Sequence, residues 1–327
     1  MVETTRRTFG LGLGSLAAAQ LLPAMPAIAQ SFPSQDIQFV CGFAAGSGAD
    51  TYVRFFAEKM KGAAKRNVVV QNRVGALGNI ATEFVARSKP DGHTVLITGG
   101  SALAANHNVM KAPTVDIANE LQVIGTINKQ PNMIMVAAEA PWKTLAELVD
   151  AMKRKGEKAS FAIANPSAKV VGAVFKEKAG LQAVEVQYKT AAQYLNDLTS
   201  GNVDYAIADN VLAVSQANAG RMRNLAVSTE QRLLAAPNYP TMRELGYDVT
   251  LTSWWGGFVP SATPKPIVDQ LGAWLSSIVG SEEGKKFLNS FASDPWVSSP
   301  EQAQAYFREE IKAWGEYVKI AKIDKQG

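Results

Sequence analysis

Several residue types and motifs on which enzymes depend are scarce or missing in this chain. Its 327 residues include one cysteine and two histidines, which excludes an internal disulfide and leaves no Cys/His cluster suited to zinc. Neither His93 nor His107 stands beside a plausible nucleophile, and no GxSxG elbow, P-loop lysine or HExxH motif occurs. Residues 46–48 are too few to complete a GxGxxG dinucleotide fingerprint. The sequence therefore argues against a hydrolase or dehydrogenase, and we expect no enzymatic activity, no cofactor and no bound metal.

The chain also carries little net charge and, beyond its N-terminus, no long apolar run. The net charge is +4, which is too small and too scattered to indicate a nucleic-acid partner. No later segment approaches the ~20 apolar residues that a membrane-spanning helix needs. We therefore expect a soluble mature protein that does not bind nucleic acid.

The first 29 residues have the pattern of an export signal. Paired arginines at positions 6 and 7 precede an apolar run over 10–22, and Ala27-Ile28-Ala29 fits a small-x-small cleavage site before Gln30. The pattern predicts a signal peptide over residues 1–29, cleaved near Ala29, and a mature chain of 298 residues. The adjacent arginines favour the twin-arginine export route, and an ordinary secretory signal that happens to carry two arginines is the alternative.

Short apolar runs alternate with helical stretches along the rest of the chain. This alternation predicts an α/β fold of mostly parallel sheets flanked by helices. The predicted strands cover residues 37–41, 68–71, 94–98, 122–127, 133–136, 160–164, 184–188, 205–208, 225–228 and 257–259. The predicted helices cover residues 50–65, 80–88, 144–154, 167–179, 191–200, 211–218, 264–278 and 301–320.

Ten strands are too many for one compact Rossmann-type sheet in a chain of this length, so we expect two sheets with their own helices. The segments 128–132 and 250–257 are suggested as the points where the chain crosses between them. The resulting prediction is a two-lobed molecule with a central ligand cleft. Lobe 1 would comprise residues 30–128 plus 258–327, and lobe 2 residues 129–257.

Two glycine-rich turns follow predicted strands and precede predicted helices. They are the stretches FAAGSGAD (43–50) and RVGALGN (73–79). Such a turn leaves backbone N–H groups free at a helix N-terminus, where they and the helix dipole attract anions. Two such loops close together would make a pocket for a small carboxylate. The alternative is that the glycines only permit tight strand-to-helix turns.

Six sequence blocks resemble those of a known family, in the same order along the chain. They are GFAAGSGAD (42–50), VQNRVGALGN (70–79), SKPDGHTVL (88–96), VQYKT (186–190), GNVD (201–204) and SWWGGFVPSATP (253–264). One block alone is a weak signal, whereas all of them in order over residues 32–320 are specific. The chain thus resembles the substrate-binding proteins of tripartite tricarboxylate transporters, often called the Bug family.

The resemblance implies a periplasmic binding protein of type II-like fold, whose two lobes close around one small ligand by hinge motion. Family ligands are mostly small organic acids: dicarboxylates, tricarboxylates, acidic amino acids and aromatic carboxylates. The implied partners are this ligand and the membrane permease subunits of the transporter, and we expect a monomer. A sensory protein that reports to a membrane histidine kinase would have the same fold and pocket, and it stays an alternative.

In this family the loops after the first strands of both lobes grip the ligand, largely through backbone N–H groups and small hydroxyls. In the loop after the third strand, Ser101 is the better hydroxyl candidate because the threonine-histidine pair of many members is absent here. The candidate ligand-binding residues are Phe43, Ala45, Ser47, Gly48, Ala49, Asp50, Gly78, Gly100, Ser101, Asn165, Ser167, Lys169, Tyr188, Asp209 and Trp254.

Several candidates have a structural alternative. We favour helix capping for Asp50, since a carboxylate suits a helix N-terminus. Lys169 stands where the family usually has histidine, and it could approach an acidic ligand or be a solvated lysine. Tyr188 could bond the ligand or pack in the core, and Asp209 could line the cleft or cap the next helix.

Three further residues carry expectations of their own. Ser167 is expected both to cap its helix and to contact the ligand. For Arg73 we favour a structural ion pair over an anion receptor. Of the adjacent residues Trp254 and Trp255, one is expected to form a cleft wall and the other to pack in the hinge.

Overall fold

The computed structural model describes residues 32–320 and 322–325, and the predicted signal peptide lies outside the described residues. The strands are β1 (Ile37–Cys41), β2 (Val68–Asn72), β3 (Thr94–Gly99), β4 (Leu121–Gln130), β5 (Asn132–Ala137), β6 (Ser160–Ile163), β7 (Val184–Gln187), β8 (Tyr205–Asp209), β9 (Met222–Val227), β10 (Ser253–Pro260) and β11 (Asp294–Pro295). The helices are α1 (Gly48–Ala64), α2 (Asn79–Ala86), α3 (Gly100–Val109), α4 (Ile117–Glu120), α5 (Leu145–Lys155), α6 (Pro166–Ala179), α7 (Ala191–Ser200), α8 (Asn210–Asn218), α9 (Lys265–Gly280), α10 (Glu282–Asn289) and α11 (Pro300–Ile320).

These strands form two separate sheets. The six-stranded sheet has the order β11-β4-β10-β3-β1-β2, and the five-stranded sheet has the order β7-β6-β8-β5-β9. We call the part of the chain built on the six-stranded sheet, with α1–α4 and α9–α11, the first lobe. The part built on the five-stranded sheet, with α5–α8, is the second lobe. The predicted two-lobed α/β fold is thereby confirmed.

Both sheets are mixed, although the prediction made them mostly parallel. β1 pairs in parallel with β2 and β3, and β6 pairs in parallel with β7 and β8. By contrast, β10 runs antiparallel to β3 and β4, and β5 runs antiparallel to β8 and β9. The antiparallel pairs lie next to the crossings between the sheets, where the chain changes sheet without a crossover helix. The expectation of parallel pairing therefore holds only for the helix-connected strands.

Buried polar side chains join the two crossing segments. The first crossing runs from β4 through Pro131 into β5, and the second reaches β10 at Ser253. The Asn132 side-chain amide donates to Ser253 Oγ at 2.9 Å, and its backbone N–H donates to Ser228 Oγ at 3.0 Å. The predicted lobe boundaries, 128/129 and 257/258, fall inside β4 and β10, and both strands lie wholly in the six-stranded sheet.

Four elements had no counterpart in the sequence-based prediction: α3, α4, α10 and β11. Helix α3 is preceded by Gly99 and begins with Gly100, and most of its residues are buried, so it lacks the polar face that marks a surface helix. Helix α4 has four residues and β11 has two, which is too short for a periodic pattern. Helix α10 is mostly polar and is capped by Ser281, which accepts from Gly284 N.

The long C-terminal helix α11 completes the first lobe. It packs against β4 and α3, and its buried Phe307 and Trp314 belong to the main apolar cluster. This packing also places the buried side chain of Glu310 beneath the start of α3. Within the described part of the chain, none of the helices has the length and apolar character that crossing a bilayer demands.

Candidate ligand-binding cleft

Four helices begin at the carboxyl ends of neighbouring parallel strands. In the first lobe β1 leads to α1 and β3 leads to α3, and in the second lobe β6 leads to α6 and β8 leads to α8. Since the carboxyl ends of parallel neighbours meet at one edge of a sheet, each lobe presents two helix starts together. Helix α3 packs against α6 and α1 meets α8. The four starts therefore face one another across the boundary between the lobes.

The loop before α1 is held by its own side chains. Ser47 caps the helix by accepting from Asp50 N at 3.2 Å. The buried Asp50 carboxylate accepts from Gly46 N, Asn72 Nδ2 and Arg54 Nε, each at 2.8 Å. Burial by itself would raise the pKa of Asp50, but these hydrogen bonds, that of Arg54 foremost, hold it below its usual value.

The structural interpretation of Asp50 needs one correction. The capping side chain is Ser47, while Asp50 ties the loop to α1 and to β2. Hydrogen bonds to the Asp50 carboxylate hold the loop in place. In this loop Ala45 is exposed, and Ser47, Gly48 and Ala49 are half-buried. The backbone N–H groups of Gly48 and Ala49, in the first turn of α1, can be offered to an anion, whereas Ser47 N already donates to the Ala44 carbonyl at 3.1 Å.

The start of α3 has no side-chain cap. Its N-cap residue is Gly99, so the N–H groups of the first turn are left without a side-chain acceptor. A Cβ atom on Gly100 would lie 2.1 Å from the nearest ring atom of Trp254, which requires glycine at this position. Ser101 Oγ is buried and donates to Glu310 Oε1 at 2.7 Å. Ser101 thus directs its hydroxyl into the first lobe, and its backbone is the part available to a ligand.

The two adjacent tryptophans take opposite roles. Trp254 is fully buried, and its indole N–H donates to Glu310 Oε2. The Trp255 ring instead stacks on Phe43, with 6.0 Å between ring centroids, and contacts Tyr52. Its Nε1 lies 3.5 Å from the position of a Cβ on Gly99, and it has no hydrogen-bond partner among the described residues. Trp254 therefore packs against Gly100 from inside the first lobe, whereas Trp255 lies beside Gly99 and Phe43 with its indole N–H available.

At the start of α6 the side chains bond to one another. Asn165 Oδ1 caps the helix by accepting from Ala168 N, and it also accepts from Ser167 Oγ, both at 2.8 Å. The expectation that Ser167 caps this helix is therefore wrong, because Asn165 already occupies the N-cap position. Lys169 is buried, and its ammonium forms an ion pair with Glu185 at 2.6 Å. In this conformation the charge of Lys169 is satisfied within the second lobe.

Helix α8 starts with a half-buried carboxyl group. Asp209 Oδ1 accepts from Leu212 N at 3.0 Å and caps the helix. Burial raises the pKa of Asp209, and hydrogen bonds from backbone N–H groups partly offset that effect. Tyr188 is half-buried, and its hydroxyl donates to Asp197 Oδ2 at 2.6 Å. Burial, with Asp197 second, raises the pKa of Tyr188 to about 12.

Arg73 and Gly78 stand at the second glycine-rich turn. The Arg73 guanidinium lies over the ring of Phe84, 3.4 Å from its centroid, and donates from Nε to Gln71 Oε1 at 3.0 Å. The contact is a cation–π stack, so the expected structural ion pair is not what the described residues show. Gly78 has a φ of 94° and precedes α2, a backbone conformation that favours glycine.

The structure thus separates the candidate residues into two groups. Backbone groups of the helix starts come together at the lobe boundary, where Asn165 and Asp209 cap the second-lobe helices that pack against α3 and α1. Ser101, Trp254, Lys169 and Tyr188 direct their polar atoms to partners inside one lobe. Sequence reasoning left out two cleft-facing neighbours of named residues, Asn210 and Val211, and it gave no hint of Glu310, whose role depends on tertiary packing alone.

Most of the chain is similar in sequence to known proteins. The model of the tripartite tricarboxylate transporter family receptor matches residues 52–323. The chain belongs to this family. BugT of Bordetella pertussis is 26% identical over 300 residues, covering 90% of this chain and 92% of BugT.

Two solved structures extend the likeness to the whole fold. The periplasmic binding protein BugD is 29% identical, with a TM-score of 0.83 over 90% of this chain and 100% of BugD. Rpa4515 of R. palustris, solved with adipate, is 27% identical, with a TM-score of 0.84 over 90% of this chain and 99% of Rpa4515. The family resemblance is therefore confirmed, and the family is one of solute-binding receptors rather than of enzymes.

Proposed function

We propose that the protein is exported to the periplasm, where it captures one small organic carboxylate between its lobes and delivers it to the permease subunits of a tripartite tricarboxylate-type transporter. The observation that carries this proposal is the convergence of four helix starts at the lobe boundary. Such starts present backbone N–H groups and positive dipole ends, which favour anions. The adipate bound to Rpa4515 supports a carboxylate as the ligand.

The charged side chains support a ligand held mostly by neutral donors. The cations near the helix starts are engaged elsewhere: Arg54 with Asp50, Lys169 with Glu185, and Arg73 with the ring of Phe84. A carboxylate in the cleft would then be bound by backbone N–H groups of α1 and α3 and by the indole N–H of Trp255. Closure of the second lobe would bring α6 and α8 onto its other end and exclude water.

The residue-level proposal follows from these positions. Gly48, Ala49, Gly100 and Ser101 would contribute backbone N–H groups, and Phe43 with Trp255 would form an aromatic wall. From the second lobe, Asn165, Ser167 and Asp209 would contribute polar groups to the far end of the ligand.

The test is a titration of the mature chain, starting at Gln30, with a panel of acids and matched neutral analogues. Adipate, succinate, malate, glutamate and benzoate are compared with adipamide and benzamide by calorimetry and by thermal shift. At 100 times its Kd, a true ligand stabilises the fold by about 2.7 kcal/mol. We expect at least one acid to bind while its amide does not. If all the acids leave the melting temperature unchanged, or amides bind as well as acids, the proposed ligand class is wrong.

A second measurement tests the place of binding. Trp255→Phe removes one N–H donor and keeps an aromatic ring. It should therefore lower the affinity for the acid and reduce the ligand-induced change in tryptophan fluorescence. Trp142→Phe, in the second lobe and away from the helix starts, is the matched control. Equal affinity and equal fluorescence change in both variants would remove Trp255 from the site. Mass spectrometry of the periplasmic form, with Gln30 as its first residue, tests export separately.

A further inference from the structure

The two lobes touch at the first turn of α8. A Cβ atom on Gly48, the first residue of α1, would have three nearest neighbours, all in α8: Val211 Cγ1 at 2.6 Å, Val211 Cβ at 3.1 Å and Leu212 N at 3.8 Å. Gly48 has no positive φ, so α1 itself would accept alanine here. The missing Cβ therefore serves the approach of the second lobe and not the folding of the first.

The preceding residue of α8 makes a second contact with the first lobe. Asn210 is fully buried, and its side-chain amide donates to the backbone carbonyl of Phe291 at 2.6 Å. Phe291 lies between α10 and β11, away from Gly48 in the chain. The first turn of α8 is thus held to the first lobe at two separate points.

The segment that receives Asn210 also depends on the second lobe for its conformation. Ala292 has a φ of 51°, a left-handed conformation that is unfavourable for a residue with a Cβ. Its side chain is nevertheless buried among Met133, Leu233 and other core residues of the second lobe. The carboxylate of Asp294 accepts from Leu234 N at 3.3 Å and Ala235 N at 3.1 Å.

From these contacts we infer that the first turn of α8 is a latch: Asn210 and Val211, docked on Phe291 and Gly48, hold the lobes in the closed arrangement and populate it without ligand. The inference rests on the proposed function only in that the same cleft is closed. Apparent affinity depends on the fraction of protein in the binding-competent state. By changing that fraction, the latch would change the apparent Kd of the ligand.

The experiment measures lobe distance in the ligand-free full chain. Nitroxide labels on Glu58→Cys in α1 and Lys189→Cys before α7 place one label on each lobe at exposed positions. The native Cys41 is fully buried, and burial raises its thiol pKa to about 11, so it should not compete for the label. Pulsed electron resonance then gives the populations of short and long distances.

We expect the labelled parent to show a short-distance population, and Gly48→Ala to lower its closed-to-open ratio by about tenfold, as an overpacked contact does. Gly62→Ala is the matched control, because it lies on the same helix with no atom within 4 Å of the added Cβ. Val211→Ala, added to Gly48→Ala, removes the atom at 2.6 Å and should restore part of the short-distance population. Asn210→Ala should lower it as well.

Two results would overturn the latch. One is a ligand-free parent without a short-distance population, and the other is a Gly48→Ala distribution that matches Gly62→Ala. Circular dichroism of each variant verifies that the lobes are folded. Since no ligand is added, failure here leaves the acid titrations intact, and failure of those titrations leaves the lobe distances interpretable.

Discussion

The helix starts of the two lobes are built differently, although they serve one cleft. In the second lobe both starts are capped by polar side chains, Asn165 on α6 and Asp209 on α8. In the first lobe α1 is capped by Ser47, whereas α3 begins at glycines without a side-chain cap. An uncapped first turn keeps more of its N–H groups for a ligand. The start of α3 is therefore the one of these four that keeps all its first-turn N–H groups without a side-chain acceptor.

The difference extends to what lies behind each start. Behind α3, a buried carboxyl group, Glu310, accepts from Ser101 and Trp254, which ties the first turn to the inside of the lobe. Behind α6, the Lys169–Glu185 ion pair lies within the second lobe. The first lobe thus has one helix start without a side-chain cap, at α3, whereas both starts of the second lobe have side chains that already make hydrogen bonds. This contrast favours first capture by the first lobe and closure by the second.

The most severe test of the contrast is Gly100→Ala. A Cβ here would sit 2.1 Å from the Trp254 ring, so the indole or α3 must move and the bonds to Glu310 must distort. We expect the free energy of unfolding in urea to fall by about 3 kcal/mol. In the control Gly62→Ala on α1, the added Cβ has no neighbour within 4 Å. This substitution should raise the free energy of unfolding by at most about 1 kcal/mol. A Gly100→Ala protein as stable as the parent would show that α3 does not need its close approach to Trp254.

Part of this arrangement was predictable from sequence. What could be predicted depends on local sequence, and what could not depends on packing between segments. The strands after which the helices start, and the polar or glycine residues at those starts, are local features, so Gly48, Gly100, Asn165 and Asp209 could be named in advance. The sequence could not show which way Ser101, Lys169 and Trp254 direct their polar atoms. Their partners Glu310 and Glu185 are fixed by packing between distant segments.

The mixed sheets show the same limit. The alternation of strands and helices predicted two lobes, but the direction of β5 and β10 depends on crossings without helices, which alternation does not encode. Helix α3 was missed because it is buried and starts with glycines. The element that carries the uncapped start was thus the least visible in the sequence, although its first residues were named as candidates.

The next largest expected effect is the pH dependence of the free energy of unfolding, which Glu310 controls. Burial raises the pKa of its carboxyl from 4.5 to about 7, so the folded state binds a proton more tightly than the unfolded state. The protonated Glu310 carboxyl therefore contributes to the free energy of unfolding fully below about pH 4.5. This contribution is lost as the pH rises through 7, because the folded state must then bury a charged carboxylate. Between pH 4.5 and pH 8 the parent should lose about 3 kcal/mol of unfolding free energy relative to Glu310→Gln. Urea titrations of both proteins at several pH values measure this; parallel pH profiles would contradict it.

Lys169→Met tests whether the second lobe uses its charge for the ligand. Removing the ammonium leaves Glu185 without its partner, and since Glu185 is partly exposed the cost should lie near 2 kcal/mol, between the values for surface and buried pairs. The affinity for the acid identified in the titrations should change less than threefold. A double-mutant cycle with Glu185→Gln isolates the pair. A loss of affinity of tenfold or more would place the ammonium in the cleft and reverse the division between the lobes.

The smallest effect is expected at the cap of α6. Asn165→Ala removes the acceptor for Ala168 N and Ser167 Oγ and should cost about 1 kcal/mol of stability, while Asn165→Asp keeps a capping oxygen and should cost little. If the second lobe contributes side chains rather than free amides, Asn165→Ala should also lower the affinity for the acid. The freed backbone N–H of Ala168 would not replace the lost side-chain amide. A gain in affinity would instead mean that an uncapped start binds the anion better in either lobe, so that the difference between α3 and α6 would be one of degree.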